Sequence, residues 1–262
     1  MYQPNPVIYY FGEKMVTIAV ANQKGGVGKT TTAVNLAAAL SKSKKKVLVV
    51  DLDAQGHAST WLSGKRASEG TGIYQVLVHK ANMADQIVKN SSGIDVVQSS
   101  VRMAKVDIDI QAEVYREHRL QRALESVANS YDYILIDCPP SLGLASINAF
   151  VASDTIVIPV DCAVESYQAI PQLLETINEL GRELKREYKI FALPTFVERT
   201  RLTNEVLAAL KGEFAGTVLS GIRKNTKLPE AFAEQKSVLD YDSSSYGSID
   251  YMNMVKEICH AN

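Results

Sequence analysis

Cysteine is scarce. Cys138, Cys162 and Cys259 are the only three in 262 residues, and none stands at CxxC spacing. This argues against a disulfide framework or a zinc ribbon and fits a reducing compartment, with each thiol expected as a small buried apolar group. Long hydrophobic runs are missing too: no stretch approaches the ~18 apolar residues of a membrane helix. The N-terminus lacks the basic-then-apolar layout of a secretory signal, so the expected location is the cytoplasm, without stable membrane insertion. Nor does one sign of charge dominate. With 28 Lys+Arg against 29 Asp+Glu the formal net charge is −1, so contact with nucleic acid would need a local basic patch. Repeats, low-complexity tracts and Gly/Ser linkers are absent, which predicts one domain over residues 15–262 behind an N-terminal extension, residues 1–14.

What the chain does contain is alternation. Apolar β-rich runs at Val16–Ala21, Val47–Asp51, Ile94–Gln98, Tyr133–Asp137, Thr155–Val160, Ile190–Leu193 and Val218–Ile222 read as buried strands. Between them lie helical patterns at Thr31–Leu40, Glu113–Ala128, Ser166–Glu187, Thr203–Phe214 and Ile249–Cys259. The predicted class is α/β: a mostly parallel twisted sheet with helices on both faces and ligands at the carboxyl ends of the strands.

Between the first strand and the first helix runs Asn22-Gln23-Lys24-Gly25-Gly26-Val27-Gly28-Lys29-Thr30-Thr31. Strand, glycine-rich turn and helix together are the setting of a P-loop NTPase. Gly25, Gly26 and Gly28, with Val27, let successive N–H groups curl into an anion nest, and the new helix adds its positive end. Lys29 is expected to reach the β/γ oxygens of a nucleotide and the Thr30 hydroxyl to bind Mg²⁺, with Thr31 completing the loop. The strict G-x-x-x-x-G-K-[ST] pattern fails, because Gln23 stands where its first glycine belongs, and Lys24 follows.

Two acidic positions extend the pattern. Val50-Asp51-Leu52-Asp53 closes the second predicted strand, and Tyr133-Ile134-Leu135-Ile136-Asp137 is an apolar strand ending in an acid, the layout of Walker B chemistry. Asp137 is expected to hold a Mg²⁺-bound water. A carboxylate near a γ-phosphate orients water, whereas an acid at this place can also simply accept from the following turn; for Asp51 both roles stand open.

Lys24–Thr31, Asp51–Gly56, Pro139-Pro140-Ser141-Leu142-Gly143 and Arg223–Ala231 together resemble the ParA/Soj partition ATPases, a deviant-Walker-A group, and the likeness runs over residues 15–260. The resemblance implies ATP/ADP and Mg²⁺ as ligands, slow hydrolysis, and an ATP-dependent homodimer in which Lys24 contacts nucleotide across the interface. It makes Asp53 the water-positioning residue and Asp51 a support of the metal shell, and sets the adenine near Thr195 and Asn225. By the same likeness the dimer binds nonspecific DNA through Arg199 and Lys227, with Arg201, Arg223 and Lys224 beside them. A ParB-like activator protein then stimulates hydrolysis, and the ATP form associates with the nucleoid. Lys227 stands where the family carries arginine, which keeps the charge but loses the bidentate fork. Fourteen residues ahead of the first strand are too few for a helix-turn-helix.

Three other functions stay open on this sequence: a MinD-like membrane-surface regulator, a metabolic or cluster-carrier ATPase on the same fold, and an ATP-gated scaffold that barely hydrolyses. The first needs a basic amphipathic C-terminal helix, yet Lys256 is the only Lys or Arg in Ser248–Asn262. The second, as a cluster carrier, needs thiolates placed to share a cluster.

Overall fold

A computed structural model describes residues 15–90, 93–162, 170–214 and 216–261. Seven strands form one sheet: β1 (Val16–Val20), β2 (Val47–Asp51), β3 (Ile87–Val88), β4 (Ile94–Val97), β5 (Tyr133–Asp137), β6 (Thr155–Asp161) and β7 (Lys189–Thr195). Their order is β3-β4-β2-β5-β1-β6-β7, parallel throughout except for β3 against β4. The central strands are covered on both faces, so β2 and β5 are buried at every position, as near-continuous Val, Ile and Leu require.

The helices are α1 (Lys29–Lys42), α2 (His57–Ser63), α3 (Ile73–His79), α4 (Val106–Asp109), α5 (Arg119–Glu125), α6 (Leu144–Ala152), α7 (Ile170–Leu184), α8 (Arg201–Glu213), α9 (Lys227–Ala233), α10 (Val238–Tyr241) and α11 (Tyr246–Ala261). Strand alternation splits the core in two. Ala19, Leu48, Val50, Ile134 and Ile136 face α3, α5, α6, α7 and α8, while Ile18, Val47, Val49 and Leu135 face α1, α2, α10 and α11. Helix α1 is buried from Thr32 to Leu40, and its alanines at 33, 37, 38 and 39 let the sheet on one side and α11 on the other come close.

Three expectations change. Val218–Ile222 is not a strand, since only isolated bridges tie it to the sheet edge, Ala192 to Val218 and Val197 to Arg223. The ladder starts, with Ala192 N–H donating to Thr217 O and Leu219 N–H to Ala192 O, but the next donor would be Pro194, which has none. Gly221, at φ 89°, then turns the chain so that Ile222 N–H reaches Pro194 O.

Glu113–Ala128 is not one helix either. Tyr115 takes φ 56°, a 3₁₀ turn follows at Arg116–His118, and α5 covers only Arg119–Glu125. Buried Asn148 on α6 fixes this break: its Oδ1 accepts from Leu120 N–H (3.0 Å) and its Nδ2 donates to Arg116 O (2.9 Å). The two-residue β3 is the third change, too short for any periodicity to announce. The helix expected over Ser166–Glu187 is seen from Ile170, its first four residues falling outside the described ones.

Candidate functional site

The loop after β1 is held from both sides. Asn22 Nδ2 donates to Pro159 O in β6 (2.7 Å), and its Oδ1 accepts from Lys24 N–H (2.9 Å). On the other flank Thr195 Oγ1 donates to Val27 O (3.0 Å). Gly26 and Gly28 adopt φ 78° and 92°, values that a side chain resists, and Gly28 caps α1 without a side-chain hydrogen bond. The first N–H groups of α1 are thereby left to the hollow of the loop, where an anion could meet them. Lys29 folds back so that Nζ donates to Lys24 O (2.9 Å). Burial lowers its pKa, while Asp137, Cys138 and Asp53 act to keep it charged.

Thr30 Oγ1 donates to Asp137 Oδ2 (2.7 Å), whereas Asp137 Oδ1 is buried with no hydrogen-bond partner. Register places Asp51 beside Asp137 at the ends of β2 and β5. Burial, then the Asp51 charge, raises the Asp137 pKa well above the usual carboxylate value. A cation or one of its waters would satisfy the open oxygen, and a hydroxyl beside carboxylate is the donor set of a hard divalent ion. Among the described residues no group of three or more His, Cys, Asp or Glu is arranged to hold a metal, so such an ion would draw further ligands from phosphate and water.

Asp51 is fully engaged elsewhere. Its Oδ2 accepts from Ser59 N–H (2.8 Å) and Oγ (2.6 Å), and its Oδ1 from Asp53 N–H (3.1 Å). It anchors α2 beneath the loop, and burial pushes its pKa up to about 6. β2 ends at Asp51, so Asp53 does not continue a strand face. It sits in the next turn, partly exposed, where Oδ1 accepts from Gln55 N–H (2.9 Å) and its charge is felt by Lys29.

Beside the loop lies a cavity of about 490 Å³ reached by Gly28, Thr30, Thr31, Thr195 and Asn225. The sequence reading placed Thr195 and Asn225 here. It missed the aromatic side: His57 and Trp61 of α2 and Phe232 of α9. Phe232 meets Trp61 edge-on, with ring centroids 4.9 Å apart, and His57 at 6.2 Å. Trp61 Nε1 donates to Lys236 O (2.8 Å). His57 and Trp61 lie four apart on one helix, a signal available in the sequence, but their partner is 171 or more residues away.

Of the five basic residues, Arg223 and Lys224 line this cavity. Arg223 holds Asp250 with Nε and Nη2 (2.6–3.1 Å) and lies 3.9 Å over the Tyr246 ring. Lys224 pairs with Glu198 (3.2 Å), Lys227 with Glu230 (2.7 Å) and Arg201 with Glu205 (3.0 Å). Arg199 is exposed and borders a second hollow with Arg223 and Lys224. Cys138 and Cys162 are buried, and burial pushes the Cys162 thiol up to about 11 and raises that of Cys138 as well. The apolar side of α11, with Tyr251, Met254, Val255 and Ile258, is packed in the core. No helix among the described residues is long and apolar enough to cross a membrane.

Residues 15–190 match the family described as the AAA domain. The sporulation initiation inhibitor protein Soj of Bacillus subtilis is 41% identical over 246 residues, covering 92% of this chain and 97% of its own. The chromosome partitioning protein ParA of Caulobacter vibrioides is 36% identical, covering 92% of each. Among solved structures, the cobyrinic acid a,c-diamide synthase of Mycobacterium smegmatis, with bound ATP analog and magnesium, superposes with a TM-score of 0.81 at 27% identity, over 95% of this chain and 97% of that one.

Proposed function

The chain belongs to the ParA/Soj family of partition ATPases, and from that premise we propose that it is a nucleotide switch: ATP closes a homodimer, the dimer holds DNA without sequence preference, and hydrolysis, stimulated by a ParB-like partner, releases it. The observation that carries the reading is the joint made by Thr30 and Asp137 at the foot of the loop, with one carboxylate oxygen left open. Mg²⁺ bound there would neutralise charge on the β- and γ-phosphate oxygens. Around it, the N–H groups from Gly25 to Thr31 and the Lys29 ammonium bind phosphate, and Thr30 and Asp137 hold the ion and its water. Asp53, partly exposed and close enough for Lys29 to feel its charge, orients the attacking water. Lys24 reaches nucleotide in the partner subunit. Hydrolysis is slow, because a switch needs a long-lived ATP state.

On the DNA side, Arg199 and Arg201 lead, since Arg199 is exposed and Arg201 has only the exposed Glu205 to give up. Lys224 and Lys227 would exchange Glu198 and Glu230 for phosphate, and Arg223 braces the rim through Asp250. A cluster carrier is disfavoured by the two buried thiols, and a membrane regulator by the packed apolar side of α11.

The test is fluorescence polarisation of a nonspecific duplex with ATP, with ADP and without nucleotide, at two salt concentrations. Binding confined to ATP and weakened by salt supports the switch. Equal or absent binding in all three states, with a dimer still forming in ATP, removes DNA from the reading.

A further inference from the structure

A cavity of about 370 Å³ opens between the C-terminal end of α3 and α5, away from the nucleotide loop. Lys80, Asn82, Arg119, Arg122 and Ser126 line it, with Val76 behind, and no acidic residue is among its described lining. Arg119 is only 8% exposed, and both its Nη1 and Nη2 are buried without a hydrogen-bond partner. Burying a guanidinium is unfavourable unless it is paired and its fork filled, and here an ion pair engages Nη2 without meeting hydrogen-bond geometry at either nitrogen.

One carboxylate stands in for a ligand. Glu113 Oε2 lies 2.6 Å from Arg119 Nη2 and 3.7 Å from Lys80 Nζ. It balances charge but lies off the N–H directions, which is why the guanidinium completes no hydrogen bond with it. Glu113 is 43% exposed, and Val114 and Tyr115 after it are exposed by 76% and 59%. Its carboxylate can therefore swing into water without opening the core. Arg122 sits 5.0 Å over the Tyr115 ring, at the mouth.

We propose that this cavity is an oxyanion site for the phosphate or carboxylate group of a small soluble ligand, and that Glu113 fills it from within when the ligand is absent. A planar carboxylate or a phosphate would take both Arg119 nitrogens in the two-pronged geometry that Glu113 fails to reach. Lys80 and Arg122 add charge and the Asn82 amide adds donors, while Val76 suits the carbon portion of an organic anion. The site stands independently of the nucleotide reading.

The experiment is calorimetric titration of inorganic phosphate and, separately, of succinate into the full chain, with the nucleotide loop saturated by a non-hydrolysable ATP analogue and Mg²⁺ so that neither the β- nor the γ-phosphate position is open to phosphate. Glu113→Gln, which removes the internal competitor, is expected to bind one of the two anions about tenfold more tightly than the native chain. Adding Arg122→Gln, a surface change, is expected to abolish most of that gain. Whichever anion shows the gain identifies the ligand's acidic group. Two results would overturn the proposal: no binding of either anion to Glu113→Gln, or affinity equal to that of the native chain.

Discussion

Thr30 Oγ1 donates to Asp137 Oδ2 across 2.7 Å, joining the first turn of α1 to the last residue of β5. The two residues are 107 apart in sequence, and strand register brings them together: Val20 and Asp51 both pair with Asp137. A hydroxyl oriented in this way presents its lone pairs to the open side of the loop.

Thr30→Ala is expected to lower magnesium-dependent nucleotide affinity by roughly 10–100-fold, and Thr30→Ser to restore most of it. Because burial and the Asp51 charge hold the Asp137 pKa well above the usual carboxylate value, protons compete with the cation. Affinity for magnesium nucleotide should therefore weaken on acidification, as read by a fluorescent nucleotide analogue. An affinity flat down to pH 5 would contradict this arrangement.

Asp51 gives a different dependence on pH. Its pKa stands at about 6 in the fold against 3.8 ordinarily, so the folded chain binds that proton more tightly than the unfolded one. The associated stability is full below pH 3.8 and is lost as pH rises through 6, a difference of roughly 3 kcal/mol. Urea unfolding of the native chain and of Asp51→Asn at pH 4.5 and 7 checks the sign: the native chain should lose more stability than the variant over that interval.

The roles proposed for Lys24 and Asp53 separate closure from chemistry. Lys24→Ala is expected to abolish ATP-dependent dimerisation or turnover, and Asp53→Ala to accumulate an ATP-bound dimer. Light scattering with and without ATP distinguishes them, and a Lys24→Ala chain that dimerises and hydrolyses normally rules out the proposed role of Lys24.

Trp61 is the only tryptophan in the chain and borders the 490 Å³ cavity. Adenine nucleotide entering there should change its emission, and Phe232→Ala, by removing the edge-on ring, should weaken binding by about 0.5–1.5 kcal/mol. Emission unchanged at saturating nucleotide would place the base elsewhere.

Much of this was legible in the sequence where the signal is local. The loop Asn22–Thr31, the carboxylates Asp51 and Asp137 at strand ends and six of the seven expected strands follow from residue type and spacing, and recur at the expected place. What failed was set by distant partners. The expected helix breaks at Tyr115 because Asn148 captures the backbone just after it, at Arg116 O and Leu120 N–H, and Val218–Ile222 falls short of a strand because Pro194 offers no donor. The aromatic side of the cavity was hidden for the same reason: α2 and α9 are brought together by the fold alone.

Both margins of the sheet are closed to growth. On one side a two-residue strand runs against the grain and is followed by Lys89; on the other, the chain from Thr217 to Lys224 covers β7 with bonds spaced too irregularly to template a newcomer. Copies of this protein are thus denied the route by which sheets polymerise into fibres. Contacts between copies would then be made by side-chain surfaces and not by strand pairing.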